Sequence, residues 1–177
     1  MNFTESYRVF VRPNLADDGN LAEVLQTSLK VRELLSNEII KANIAEVHKF
    51  GASSHKIQKS ILSEMEQLGF ASEKKGLFAN FKVSGIRPDY YKDVPGGGIL
   101  FEVERGKTIA NNMDLLDVWK THICTQAKHL FLMVPNLRVT EKGKSQKIFS
   151  TVENRIETFF LNETTPIDVN TVHLFGY

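Results

Sequence analysis

The spacing of apolar residues divides this chain into a helical first part and a mixed second part. Tyr7, Val9 and Val11 recur at every second position and predict a short strand ended by Pro13. Asp17-Asp18-Gly19-Asn20 is a turn signal. After it, Leu21, Val24, Leu25, Leu29 and Val31 form one stripe, which Leu34, Leu35, Ile39, Ile40, Ile44 and Val47 continue. This spacing predicts helix across 21–48, with Ser36-Asn37 as the place where it divides in two. A further helix is expected over 54–68, with Ile57, Ile61, Leu62, Met65 and Leu68 inward and Gly69 closing it.

The pattern changes after Lys75. Leu77, Phe78, Phe81 and Val83 predict a strand, Ile86 to Tyr91 a second one or its end, and Ile99 to Arg105 a third, after the turn Val94-Pro95-Gly96-Gly97-Gly98. A helix is expected over 113–127, capped by Asn111 or Asn112 and with Asp114 in its first turn. Its core face is assigned to Leu115, Leu116, Trp119 and Ile123. Leu130–Val134 is a continuous apolar run, as in a buried central strand. A basic loop with Arg138, Lys142 and Lys144, an amphipathic helix over 146–161 and a strand at 171–175 complete the order. The expected fold is α/β: a mixed central sheet flanked by helices, with residues 1–50 as an N-terminal helical extension packed on a core of 51–177 and a right-handed crossover between the third and fourth core strands.

With 177 residues, the chain can bury roughly 70% of its unfolded surface without a metal or disulfide to help. An apolar fraction of 42% and a charged fraction of 24% exclude wholesale disorder. The single cysteine, Cys124, excludes a disulfide framework and reads as a small buried residue. Met1 to Leu15 does not read as a secretory signal, and no apolar run approaches the ~20 residues of a membrane span. A reducing cytoplasm is therefore the expected setting, and the sequon at Asn162-Glu163-Thr164 is a chance match. A net charge of +1 neither demands nor excludes a nucleic-acid partner.

Candidate chemistry concentrates in Arg87-Pro88-Asp89 and in Ile99-Leu100-Phe101-Glu102-Val103-Glu104-Arg105-Gly106-Lys107. Strand alternation sets Glu102 and Glu104 on one face, ~7 Å apart, and Phe101 and Val103 on the other as core anchors. The glycine turn can bring Asp89 opposite the two glutamates. Three converging carboxylates repel unless a cation neutralises them, and hard oxygen ligands suit Mg²⁺. The plain alternative is an amphipathic strand whose glutamates face solvent.

Pro88-Asp89, the strand carrying Glu102-Val103-Glu104, the basic Lys107, a helix and then an apolar strand resemble the PD-(D/E)XK nuclease superfamily, the restriction-endonuclease-like fold, across 54–134 in the order αβββαβ. The resemblance implies a Mg²⁺-dependent endonuclease (Mn²⁺ substituting) that leaves 5′-phosphate and 3′-hydroxyl ends on DNA. It makes Asp89, Glu102 and the Val103 carbonyl metal ligands, with Glu64 on the 54–68 helix as a candidate for an extra one. The family usually has lysine two residues after the second acid, whereas this chain has Glu104, as in Glu-x-Glu members. The base is then Glu104 or Lys107, the latter re-aimed by a bulge at Gly106. Arg87, Arg105 and Lys120 are the candidate phosphate contacts, and a homodimer through the 21–48 helices is expected for double-strand cleavage. The competing reading is a catalytically inactive nucleic-acid-binding or protein-interaction module on the same scaffold.

Two other motifs are set aside. Arg105-Gly106-Lys107-Thr108 imitates the end of a P-loop, but the required first glycine is Phe101, so nucleoside triphosphate binding is not expected. His48, His55, His122, His129 and His173 form no HxxxH pair, which argues against zinc.

Overall fold

The computed structural model describes residues 6–13, 15, 21–49, 51–82, 85–105, 108–139, 143–161 and 167–177. Its elements are β1 (Tyr7–Val11), α1 (Leu21–Ser36), α2 (Glu38–Val47), α3 (Ser54–Ser60), α4 (Leu62–Gln67), β2 (Ala71–Ser72), β3 (Tyr90–Lys92), β4 (Gly98–Val103), α5 (Met113–Ile123), β5 (Ala127–Val134), β6 (Leu137–Val139), β7 (Ser145–Lys147), α6 (Ile148–Glu157) and β8 (Thr171–Gly176). A six-stranded mixed sheet runs in the order β1-β8-β5-β4-β3-β2. The β4–β5 and β5–β8 pairs are parallel, and the outer pairs are antiparallel.

Alternation along the central strands divides the core into two layers. Ile99, Phe101 and Val103 of β4, with Phe131, Met133 and Phe175, meet Val24, Val31, Ile40, Ile57 and Met65 from the first four helices. Leu100, Leu130, Leu132, Val172 and Leu174 point the other way and meet Val118, Val152 and Ile156 from α5 and α6. Central strands covered on both faces need apolar residues at successive positions, and five of the eight positions of β5 run Leu130–Val134. β1 closes one edge of the sheet against β8, so the segment before residue 50 supplies a strand as well as helices.

Local chemistry explains where the helices stop. Asn37 accepts from the amides of Ile39 and Ile40, capping α2 and dividing the 21–48 stretch at the expected place. The 54–68 stretch breaks at Ile61, which leaves the helical region, and Gly69 closes α4 with φ +86°. The strand expected at 77–83 is not one: described residues 77–82 form turns, and the edge strand is the two-residue β2. Leu77 and Phe78 are buried, but as anchors of a loop, so their apolar character signalled burial without strand geometry. The basic 136–146 stretch is a β6–β7 hairpin in its described part; Lys142 lies outside the described residues. No helix among the described residues is long and apolar enough to cross a membrane.

Gly98 begins β4 where a side chain has no room. A Cβ there would lie 2.5 Å from the Tyr91 ring and hydroxyl. That hydroxyl bonds to the Gln126 carbonyl at 3.2 Å, which keeps the ring from swinging away. Gly98→Ala is expected to cost about 1–3 kcal/mol through overpacking, seen as a lower urea midpoint at unchanged slope.

Candidate functional site

The β3–β4 register pairs Tyr90 with Phe101, which places Asp89 opposite Glu102 at the start of the β3 pairing. Asp89 Oδ2 accepts from the Val103 amide at 2.8 Å, and the Asp89 amide donates to Glu102 Oε2 at 3.4 Å. Three donors from other elements reach the Asp89 carbonyl: Gln58 Nε2 of α3 at 3.1 Å, the Glu73 amide at 3.0 Å and Ser72 Oγ of β2 at 3.5 Å. The aspartate is therefore positioned by three separate parts of the chain.

Glu102 is only 4% exposed, beneath α5. Lys120 Nζ of that helix lies 2.9 Å from Glu102 Oε1 and 3.3 Å from Asp117 Oδ1. Asp117 is buried, and its Oδ2 has no hydrogen-bond partner among the described residues. Glu104 follows β4, where its amide donates to the Met133 carbonyl at 2.8 Å and extends the ladder by one bond. Its Oε2 accepts from Thr108 Oγ1 at 3.5 Å.

Among the described residues, four carboxylates thus face one ammonium, and two of them, Glu102 and Asp117, are buried. Burial raises Asp89, with the Val103 amide and Lys120 opposing. Burial and then Asp117 push Glu102 well above the ordinary carboxylate range, against the pull of Lys120. Burial, Asp117 and Asp89 bring Glu104 to about 8. Burial carries Asp117 to about 7, although Lys120 opposes it. Burial pulls the Lys120 ammonium down, but Glu102 and Asp117 together hold it above its usual value.

The structure brings together Asp89, Glu102, Val103 and Glu104, as the spacing predicts, and adds Asp117, which sequence reasoning missed. Lys120 is turned into the acids, not outward as a free phosphate contact. Arg105 also departs from expectation: it is 6% exposed, and its guanidinium donates to the Ala52 carbonyl at 2.7 Å and to the Lys49 carbonyl. It ties the end of β4 to the α2–α3 connection, leaving no exposed fork for a phosphate. Glu64 sits on α4, which packs through Met65 on the opposite face of the sheet. Its charge bears on the Tyr90 hydroxyl, and among the described residues no side-chain hydrogen bond or ion pair joins it to the acids. Arg87 is exposed and pairs with Glu73 at 3.3 Å. Lys107 and Gly106 lie outside the described residues.

Helix α5 explains why Asp117 escaped notice. Its buried positions are Asp114, Asp117, Val118 and Thr121, while Leu116 and Trp119 are 47% and 49% exposed. The apolar stripe assigned inward therefore faces partly to solvent, and a polar stripe faces the sheet. Each buried acid has a cation: Lys120 for Asp117, and Arg155 Nε at 3.1 Å for Asp114. Asp114 lies in the first turn of α5, as expected, where the helix dipole favours a negative charge. It is fully buried, and Asn112 makes no side-chain cap.

The donor chemistry matches a hard divalent cation: clustered carboxylate oxygens, one of them unpartnered, in a site short of positive charge. As packed, no group of three or more His, Cys, Asp or Glu among the described residues is arranged to hold a metal ion. No family model and no curated protein sequence matches this chain.

The raised carboxylates make a stability prediction. An acid whose folded pKa exceeds its unfolded one contributes stability at low pH, and that contribution is lost as pH rises through the folded value. Buried His173, held down to about 3, works in the opposite sense, but its effect is complete above the ordinary histidine range. Between pH 6.5 and 9 the acids near 7 and 8 should therefore dominate, and Tm should fall. Glu104→Gln should flatten this slope in thermal melts. An unchanged slope would contradict the assignment to Glu104.

Proposed function

We propose that this chain is a divalent-metal-dependent endonuclease of the PD-(D/E)XK kind, hydrolysing DNA phosphodiester bonds to 5′-phosphate and 3′-hydroxyl ends. The observation that carries the reading is the Asp89–Glu102 juxtaposition across β3 and β4, with the Val103 amide on Asp89 and the Lys120 ammonium on Glu102. The order β3, β4, α5, β5, antiparallel and then parallel, supports it as the later part of the restriction-endonuclease-like αβββαβ core.

Asp89, Glu102 and the Val103 carbonyl would hold Mg²⁺ or Mn²⁺, with Asp117 adding negative charge beside them. A bound divalent ion supplies a more acidic water and neutralises charge gathering on the phosphate. Glu104, near 8, exchanges a proton readily at neutral pH, which suits it to accept one from an attacking water. Lys120 provides the ammonium that position 104 lacks, delivered from α5 instead of the strand. Its N–H groups would orient water beside the acids.

The second reading is a metal-free nucleic-acid-binding module, favoured by the ammonium already seated between Glu102 and Asp117. The two readings differ in a simple assay. On the nuclease reading, Mg²⁺ or Mn²⁺ raises Tm, and supercoiled plasmid is nicked or linearised. Outer-shell partners of a metal commonly matter 10–100-fold, so Asp89→Asn and Glu102→Gln should each lower the rate by more than about 100-fold. DNA affinity should be kept or increased, because phosphate repulsion is relieved. Cleavage at the wild-type rate by both variants overturns the site assignment. Absence of both cleavage and a metal-dependent rise in Tm overturns the nuclease reading.

A further inference from the structure

We propose that the turns over residues 75–82, between β2 and β3, bind single-stranded DNA by stacking an unpaired base on Phe81, a reading that rests on the nuclease proposal and gives its substrate class. The loop contains a cleft of about 490 Å³ lined by Lys75, Phe78, Phe81, Lys82, Ile86 and Arg87, among others. This lies within the size range of small-ligand pockets.

Phe81 is held at the surface by a built support. Leu77 and Phe78 are 4% and 5% exposed and join the cluster that contains Val118 of α5, so the loop is anchored on the same face of the sheet as the acids. The Ala79 amide donates to the Gly76 carbonyl at 3.2 Å and the Phe81 amide to the Phe78 carbonyl at 3.1 Å, closing successive turns. The Phe81 ring leans on the Phe78 ring at 6.3 Å between centroids, yet Phe81 stays 39% exposed. Its outer side is thus an open aromatic surface.

Charge selects the occupant. Lys74, Lys75 and Lys82 surround the ring in sequence and are all exposed, while Arg87 and the acid in the same stretch, Glu73, pair with each other. Cations beside an open aromatic ring suit a strand that offers phosphates and bases together. A closed duplex offers phosphates but keeps its bases stacked on each other. Arg87 is two residues before Asp89, at most about 7 Å of extended chain. The Arg87 end of the cleft therefore adjoins the acid cluster.

The test is fluorescence anisotropy in EDTA with a labelled oligothymidine of roughly a dozen nucleotides, within the span of single-strand sites. A duplex of equal length and a polyglutamate competitor are run beside it. Phe81→Ala should weaken oligothymidine binding by roughly 5- to 150-fold while changing duplex binding little. Phe81→Trp should keep the affinity, and the emission of the introduced indole should be quenched on binding beyond any change at Trp119. Lys75→Glu with Lys82→Glu should weaken binding and reduce its salt dependence. Undiminished oligothymidine binding by Phe81→Ala, an equal loss on duplex, unquenched emission from the Phe81→Trp variant or effective competition by polyglutamate would each overturn the proposal. Because binding is read without metal or cleavage, a chain that stacks bases but never cuts would defeat the nuclease reading alone.

Discussion

The ion pairing of Lys120 with Glu102 and Asp117 is the constraint on which the centre of the molecule depends. Burying a carboxylate without a partner costs several kcal/mol, so a strand residue such as Glu102 is tolerated beneath a helix only if that helix brings a cation. α5 does so, and the same requirement sets its rotation. With Lys120 aimed at Glu102, Asp117 one turn earlier comes inward and Trp119 and Leu116 are left partly outside. The cost of exposing two large apolar residues is accepted to keep the acids neutralised.

This arrangement places the acid cluster at a boundary in the sheet. β3 and β4 are antiparallel and β4 and β5 parallel, so the ends of β4 and β5 open on the same side, beneath α5. Arg105 and Tyr177 secure that end: the former binds the α2–α3 connection, and the latter donates to the Glu104 carbonyl at 3.0 Å. Gln58 of α3 reaches round the edge to the Asp89 carbonyl. The carboxylates are therefore held on a rigid frame, while burial raises all four, with mutual repulsion adding to it at Glu102, Glu104 and Asp117, and brings Asp117 to about 7 and Glu104 to about 8. Carboxylates raised in this way cost the fold stability once they ionise.

Much of this was legible from local patterns. The division at Asn37, the closure at Gly69, the buried β5 run and the common face of Glu102 and Glu104 all follow from rules that act within a few residues: capping, left-handed glycine, continuous apolarity and strand alternation. The Pro-Asp and Glu-Val-Glu stretches, too, could be paired in advance because a glycine turn joins them. The loop at 77–82 was not legible, since buried Leu77 and Phe78 give the same apolar signal in a turn as in a strand.

The sequence by itself determined the strands and helices whose signals are local, and the carboxylates that share a strand face or meet across one turn. Only the tertiary structure decided which stripe of α5 faces inward, because two stripes of that helix compete and the winner is set by a glutamate on a strand that precedes it in the chain. Hydrophobic periodicity favours the Leu116–Trp119 side; the charge on Glu102 favours the Asp117–Lys120 side, and the pairing of buried charges outweighs the transfer of apolar surface. The inward turn of Arg105 has the same origin: its partners are carbonyls in the α2–α3 connection, about fifty residues earlier, and no pattern along one strand records them.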